Sequence, residues 1–417
     1  MSKILGIIAE YNPFHNGHVY HIQNSKEQAG ADYTVAVITG NFTQRGNAAI
    51  VNKWEKAKMA IKSGVDLVIE LPTLYSISSA ENFASGAIKI LDELGIIDSL
   101  SFGIESNNIS LLNNIANVLY EEPVQYVNYL KDELKQGKSF PKAREEAIIK
   151  YLKDPKYDNI LNGSNNILAI EYLKALKKQK SKITPIGIRR EKVYYNSKKI
   201  IDEYASATGI RYLMMRKQME EVARVVPSSS FNILLENIKN GTYVLDLANY
   251  CDIIIYKLRS MTIKEIADLP EVSEGLENSI KQAVGKTNNI IELINMIKSK
   301  RYTQTRIQRI MLYALLNIKK ADMEMSKAIK PYVRVLGFNE NGRKLLSEID
   351  PRVKVITSVS KFERENRNKK YSKMLEIDKY ATDVYTIGYS EESKTGLDYT
   401  NGLVILQRYY IMIIFLL

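Results

Sequence analysis

The sequence predicts an α/β protein: a parallel sheet covered by helices in the first half, then a mainly helical second half. Three observations carry this expectation. Short apolar runs alternate with helical stretches over residues 3–104, the pattern of βαβ units. All three histidines, His15, His18 and His21, fall within seven positions where the first apolar run gives way to a helical pattern. After about residue 222 helical periodicity dominates to 320, with no histidine. The expected division is therefore 1–222 and 223–417.

Each element has a local reason. Ile4 to Ala9 is a continuous apolar run, read as a buried strand within 3–9, and Asn12-Pro13 turns the chain. A helix is expected over 18–28, stopped at Ala29-Gly30. Strands follow at 33–39, 65–71 and 99–104, with helices at 52–63 and 81–94 between them. Right-handed crossovers of this length give a parallel sheet with both faces covered. Ligands of such sheets gather at the carboxyl ends of the strands, near the switch in strand order. A helical insertion fills 107–178, and a strand from Ile183 to Ile188 runs into Arg189-Arg190. A further strand is expected at Val353–Thr357.

His15-Asn16-Gly17-His18 thus sits where a strand hands over to a helix N-terminus. Unpaired backbone N–H groups and the helix dipole make that place an anion site, with phosphate the obvious candidate. Gly17 has no Cβ, so a ligand can approach the backbone. A metal site is the competing reading of the His-x-x-His-x-x-His spacing. No cysteine lies nearby, and no protein-bound metal is expected. Helix capping or packing is the plain alternative for His18, and for His21 packing or solvent exposure is preferred. The loop Gly40-Asn-Phe-Thr-Gln-Arg45-Gly46 follows the second strand at the same sheet edge. It suits either a small carboxylate paired with Arg45, the incoming base, or a plain connection. Lys53 and Trp54, opening the next helix, share those alternatives.

Glu10-Tyr-Asn-Pro-Phe-His-Asn-Gly-His18 is joined by Thr39-Gly-Asn-Phe-Thr-Gln-Arg-Gly46, Val65-Asp-Leu-Val-Ile-Glu-Leu-Pro72, Ser101-Phe-Gly-Ile-Glu105, Ser164-Asn-Asn-Ile-Leu-Ala-Ile-Glu-Tyr-Leu173 and Pro331-Tyr-Val-Arg-Val-Leu-Gly-Phe338. Over nearly the whole chain this set resembles the bacterial tRNA(Met) cytidine acetate ligase family, within the His-x-Gly-His nucleotidyltransferase superfamily. The resemblance implies a Rossmann-like nucleotidyltransferase sheet with a helical insertion, followed by a mainly helical C-terminal domain that docks tRNA. It implies a ligase that activates acetate with ATP and acetylates N4 of the wobble cytidine of elongator tRNA(Met), in the cytoplasm. His15 and His18 are the implied catalytic pair, stabilising charge on the triphosphate. The implied ATP site comprises Ile7, Ile8, Ala9, Glu10, Tyr11, Asn12, Pro13, Phe14, His15, Asn16, Gly17 and His18. Gly103, Asn165 and Arg190 join it, with Asn166 and Arg189 the adjacent alternatives for the last two. Ala205-Ser-Ala-Thr-Gly-Ile-Arg211 resembles a second signature of the superfamily, which adds Ser206, Thr208 and Arg211. Mg²⁺ is expected to arrive with ATP, since it usually binds through phosphates. Another adenylyltransferase, or a non-catalytic RNA-binding module, are the rival readings.

Composition agrees. The net charge of the 417-residue chain is +12 and its pI about 9.2, favouring a polyanionic partner. Segment 298–320 carries Lys298, Lys300, Arg301, Arg306, Arg309, Lys319 and Lys320 without an acidic residue. A second cluster comprises Lys361, Arg364, Arg367, Lys369, Lys370 and Lys373. Together they suggest an RNA-docking surface, against the alternative of solvated helix faces. Cys251 is the single cysteine, which fits a reducing compartment. Met1-Ser-Lys leads straight into the first strand, so no signal peptide is expected. The apolar end Tyr409–Leu417 is well short of the ~20 residues that span a bilayer, so no membrane is expected, and no protein partner can be inferred.

Overall fold

In the computed structural model, residues 2–106, 108–158, 160–189, 203–391 and 394–407 are described. Arg190 and the tail Tyr409–Leu417 therefore lie outside the described residues. Among the described residues one eight-stranded sheet forms the frame: β1 Ile4–Ala9, β2 Tyr33–Thr39, β3 Leu67–Leu71, β4 Ser99–Ile104, β5 Thr184–Arg189, β6 Val333–Asn339, β7 Val355–Ile356 and β8 Val404–Leu406. The order is β5-β4-β1-β2-β3-β6-β7, with β8 also paired to β6. Strands β1 to β5 pair in parallel, and β6 joins β3 antiparallel. The order reverses between β1 and β4, so a crevice opens above their carboxyl ends.

β2 shows why the centre is parallel. Its Thr-Val-Ala-Val-Ile-Thr run is buried on both faces, as helical crossovers require. Val35 and Val37 pack into one apolar cluster while Ala36 and Ile38 pack into the other, the two-residue period of a strand. Flanking helices are punctuated locally. Asn52 accepts from the backbone N–H groups of Trp54 and Glu55 to start the Lys53–Lys62 helix. Gly30, at φ 59°, ends the Asn16–Ala29 helix, a left-handed position that suits glycine. That helix begins two residues before the expected 18, with His15 as its N-cap.

The second half is mainly helical, yet three of its strands return to the same sheet. The boundary expected at 222/223 therefore divides the chain without dividing the sheet. The core crosses it as well, because Leu247, Ile280 and Ile310 share a cluster with Val35 and Leu67. A buried ion network ties the halves. Lys53 Nζ lies 3.0 Å from Glu70 and 2.7 Å from Asp398, and Arg334 pairs with both carboxylates. Burial alone would raise the Asp398 carboxyl, but Lys53 and Arg334 hold it well below the usual range. Lys53 is thus committed to this network, which removes it from the small-ligand reading.

Candidate active site

The turn after β1 builds the floor of a cleft. His15 caps the Asn16–Ala29 helix from an extended conformation. Its backbone N–H donates to His18 Nδ1 at 3.1 Å. A ring nitrogen that accepts carries no proton, so neutral His18 bears its hydrogen on Nε2. The His15 and His18 rings stack with centroids 3.7 Å apart. Tyr11 and Phe14 brace His18 at 4.8 and 5.3 Å. The capping alternative for His18 is therefore real at Nδ1, and it fixes the tautomer at the other nitrogen. At Gly17 a Cβ would stand 2.9 Å from the His15 ring, so the glycine lets that ring lie across the helix start. His21 points to β4, its Nε2 3.0 Å from Ser101 Oγ, and it also lines the cleft.

Ten of the expected residues line the cleft together: Ile7, Ile8, Ala9, Glu10, Tyr11, His15, Gly17, His18, Gly103 and Asn165. The other expected residues that are described do not line it. Asn12 is buried and works on the loop behind, accepting from Ile50 N–H and donating to Ala48 O. Phe14 is fully buried beneath the floor, and neither it nor Pro13 lines the cleft. Asn16 Nδ2 donates to the carbonyls of Glu203 and Arg224, drawing the 203–225 segment over the helix start.

Asn165 and Asn166 separate cleanly. Asn165 lines the cleft and donates from Nδ2 to Glu105 Oε1 at 2.5 Å. Asn166 is buried, accepts from the N–H groups of Glu105 and Ser106, and donates to Ile160 O. The first faces the ligand space and the second secures the loop. Arg189, at the end of β5, lines the cleft. Ser206 caps the Ala207–Met215 helix by accepting from Gly209 N–H at 3.0 Å. The cleft wall in that segment is formed by Tyr204, Ala205 and Ala207, while Ser206, Thr208 and Arg211 do not line it.

Several lining residues escaped the sequence reading. Phe102, Tyr172 and Ile188 form an apolar wall on the β4–β5 side, with Phe102 and Tyr172 rings 5.6 Å apart. Gln44 and Phe83 stand on the β2 side. In the 40–46 loop it is Gln44, not Arg45, that reaches the cleft. Phe102, Tyr172 and Gln44 lie within the motifs quoted above, but nothing in the sequence singles them out as lining, and the apolar run 183–188 hinted only at a strand end near Ile188.

Beneath the floor, Lys56 is buried and donates from Nζ to Glu10 O at 2.8 Å and Thr39 Oγ1 at 2.9 Å. It thereby ties the ends of β1 and β2. Burial pushes its ammonium down to about 7, against the pull of Glu10 and Glu70. Among the described residues no group of three or more His, Cys, Asp or Glu is placed to hold a metal ion. The arrangement is a helix N-terminus with two imidazoles, chemistry that suits an anion, flanked by an apolar wall whose character suits a flat ring.

A family model described as HIGH Nucleotidyl Transferase matches residues 2–399. The tRNA(Met) cytidine acetate ligase of Thermoanaerobacter sp. (strain X514) is 47% identical over 404 residues, covering 96% of this chain and 99% of that protein. The enzyme of the same name from Acetivibrio thermocellus is 41% identical, covering 97% and 100%. Among solved structures, apo Thermotoga maritima TmcAL superposes with a TM-score of 0.94 at 34% identity, covering 97% of this chain and all of that one. The same protein bound with alpha-thio ATP gives 0.91 at 34% identity over the same coverage. The relationship runs over nearly the full length of both chains, and this chain belongs to the tRNA(Met) cytidine acetate ligase family of HIGH nucleotidyl transferases.

Proposed function

We propose that this chain forms acetyl-adenylate from acetate and ATP in the cleft above β1 and β4. It then transfers the acetyl group to N4 of the wobble cytidine of elongator tRNA(Met). The observation that carries the reading is the stacked His15–His18 pair at a helix N-terminus, with the His18 tautomer set by its own backbone. Full-length similarity to enzymes named tRNA(Met) cytidine acetate ligase supports the substrate assignment.

Acetate is already a nucleophile, so the first step needs no general base. Its oxygen attacks the α-phosphorus, and pyrophosphate leaves. His15, His18 and the N–H groups of the helix start meet the charge that builds on the phosphate oxygens. Asn165, Gly103 and the Phe102–Tyr172–Ile188 wall hold the adenosine, with Arg189 at its edge. Ser206, Thr208 and Arg211, and Arg190 beyond the described residues, remain assigned to the triphosphate by the family signature. Mg²⁺ accompanying ATP is carried on the phosphates. In the second step the exocyclic amine attacks the acetyl carbon, AMP leaves, and the amine loses its proton. The C-terminal region docks the tRNA, and the reaction takes place in the cytoplasm. Among the described residues no helix is long and apolar enough to cross a membrane.

The test is acetate-dependent ATP–pyrophosphate exchange, with and without methionine tRNA. His18→Ala is expected to lower exchange by roughly 10²–10³. Undiminished exchange in a folded His18→Ala variant would remove the histidine from the reaction. Absence of exchange in the unmodified chain would reject the adenylation step itself.

A further inference from the structure

The 40–46 loop is braced from both sides. On the cleft side Gln44 N–H donates to Glu10 Oε1 at 2.8 Å, and Gln44 Nε2 donates to Ser78 O at 3.3 Å. On the far side stands the Gln304–Leu315 helix of the second half. Its buried Arg309 donates from Nη1 to Gln44 O at 3.3 Å. The same guanidinium grips Glu271 with Nε at 2.8 Å and Nη2 at 2.6 Å. Tyr313, one turn on, donates to Ile77 O at 2.7 Å and to Glu271 Oε1 at 3.2 Å. Gly46 lies so close to this helix that a Cβ would stand 2.6 Å from Arg309 N. Its φ of 77° also favours glycine.

The cleft has two ends. Gly103, Asn165 and Ile188 belong to the β4–β5 side, while Glu10 and Gln44 follow β1 and β2, and Phe83 joins them from the helix start beside Ser78, which Gln44 grips. With adenosine on the first, the second is left for the small acid. An amide beside an aromatic face suits a carboxylate with a short alkyl group.

We infer that the Gln44 loop is the acyl-side wall of the cleft, and that Arg309 is its positioning residue, setting from the second half which carboxylic acid fits. The inference rests on the proposed adenylation. Arg309 touches no substrate. It acts by holding the Gln44 carbonyl while Glu271 holds Arg309, so the helical region that meets tRNA and the loop that meets the acid share one guanidinium. A planar fork spans three acceptors, which an ammonium on a flexible stem cannot do in the same geometry.

The experiment uses full-length Arg309→Lys and Gln44→Ala in pyrophosphate exchange, with ATP, acetate and propionate varied separately and melting temperature recorded. Both variants are expected to raise the acetate KM by about fivefold or more, to keep the ATP KM within about twofold, and to narrow the preference for acetate over propionate. A merely structural role would shift both KM values together and leave acid preference unchanged, and that result overturns the inference. So does an unchanged acetate KM in both variants. Should Arg309→Lys not fold, Gln44→Ala decides by the same two ratios. An unmodified chain that shows no acetate-dependent exchange overturns the proposed function and this inference with it. An active unmodified chain with unaltered variants overturns the inference alone.

Discussion

The basic segments 298–320 and 361–373 read alike in sequence, and the structure puts them to different uses. In the first, Arg309 is buried against Glu271, and Arg306 donates from Nε and Nη2 to Glu271 O. Lys320 Nζ donates to Ala267 O, and Arg301 pairs with Glu274 at 3.1 Å. Arg309 and Arg306 are thus held within the protein, while Lys298, Lys300, Arg301, Lys319 and Lys320 stay exposed. In the second, Lys361, Arg364, Arg367, Lys369, Lys370 and Lys373 are all exposed, on the Val359–Glu365 helix, the start of the Lys369–Ile387 helix and, for Arg367, the link between them. A count of positive residues cannot tell a clamp from an exposed face. What holds Arg306 and Arg309 is an acceptor within reach, and the half-buried Glu271 supplies it from a segment some forty residues away.

The sharpest way to break the comparison is to delete one cation from each segment. Arg309→Ala strands the Glu271 carboxylate and is expected to lower unfolding free energy by about 3–5 kcal/mol, measured in urea. A loss below ~1 kcal/mol would mean the clamp carries little.

Lys56 sharpens the contrast from a third side, as a buried cation held by a carbonyl and a hydroxyl without a carboxylate within bonding distance. Its folded pKa, about 7, lies below the unfolded value near 10.5. Between those values the unfolded chain holds the proton more tightly, so the Lys56 contribution to stability rises with pH. Below 7 the penalty is constant. Relative to Lys56→Met, the unmodified chain is expected to gain roughly 1–3 kcal/mol between pH 7 and 9. A flat difference across that window would show the amine keeping its proton.

Next in size is a salt effect. Removing both Arg367 and Lys370 is expected to lessen the slope of log K against log salt for tRNA binding by about 1.5, from two lost phosphate contacts. Removing Arg306 is expected to leave the slope in place. Equal slopes in all three would assign the docking face elsewhere. The smallest expected effect is on folding: Arg367→Ala and Lys370→Ala should each move unfolding free energy by no more than ~0.5 kcal/mol.

Where local chemistry decides, sequence and structure coincide. The strands expected at 33–39 and 99–104 are β2 and β4 to the residue. Gly30 ends its helix as expected, because left-handed caps favour glycine wherever they occur. β6 went unread as a strand because Arg334 interrupts its apolar run, and that arginine is buried only by virtue of Glu70 and Asp398. The strand expected at 353–357 shortens to Val355–Ile356, since β6 offers pairing only at Val333 and Arg334 there.

The candidate site divides along the same line. The strand–turn–helix carrying His15, Gly17 and His18 was legible, since its parts are neighbours in the chain and each meets a local requirement for capping, turning or close approach. That Asn165 faces the cleft while Asn166 faces the loop depended on which way one helix start was rotated against β4. Gln44, Phe83, Tyr172 and Ile188 come from four separate elements, and only the strand order brings their ends together. Sequence by itself determined the strand–turn–helix floor and pointed to the family. Tertiary structure decided the walls, the buried ion network and which cations stay at the surface, because each depends on partners whose distance is set by packing and not by position along the chain.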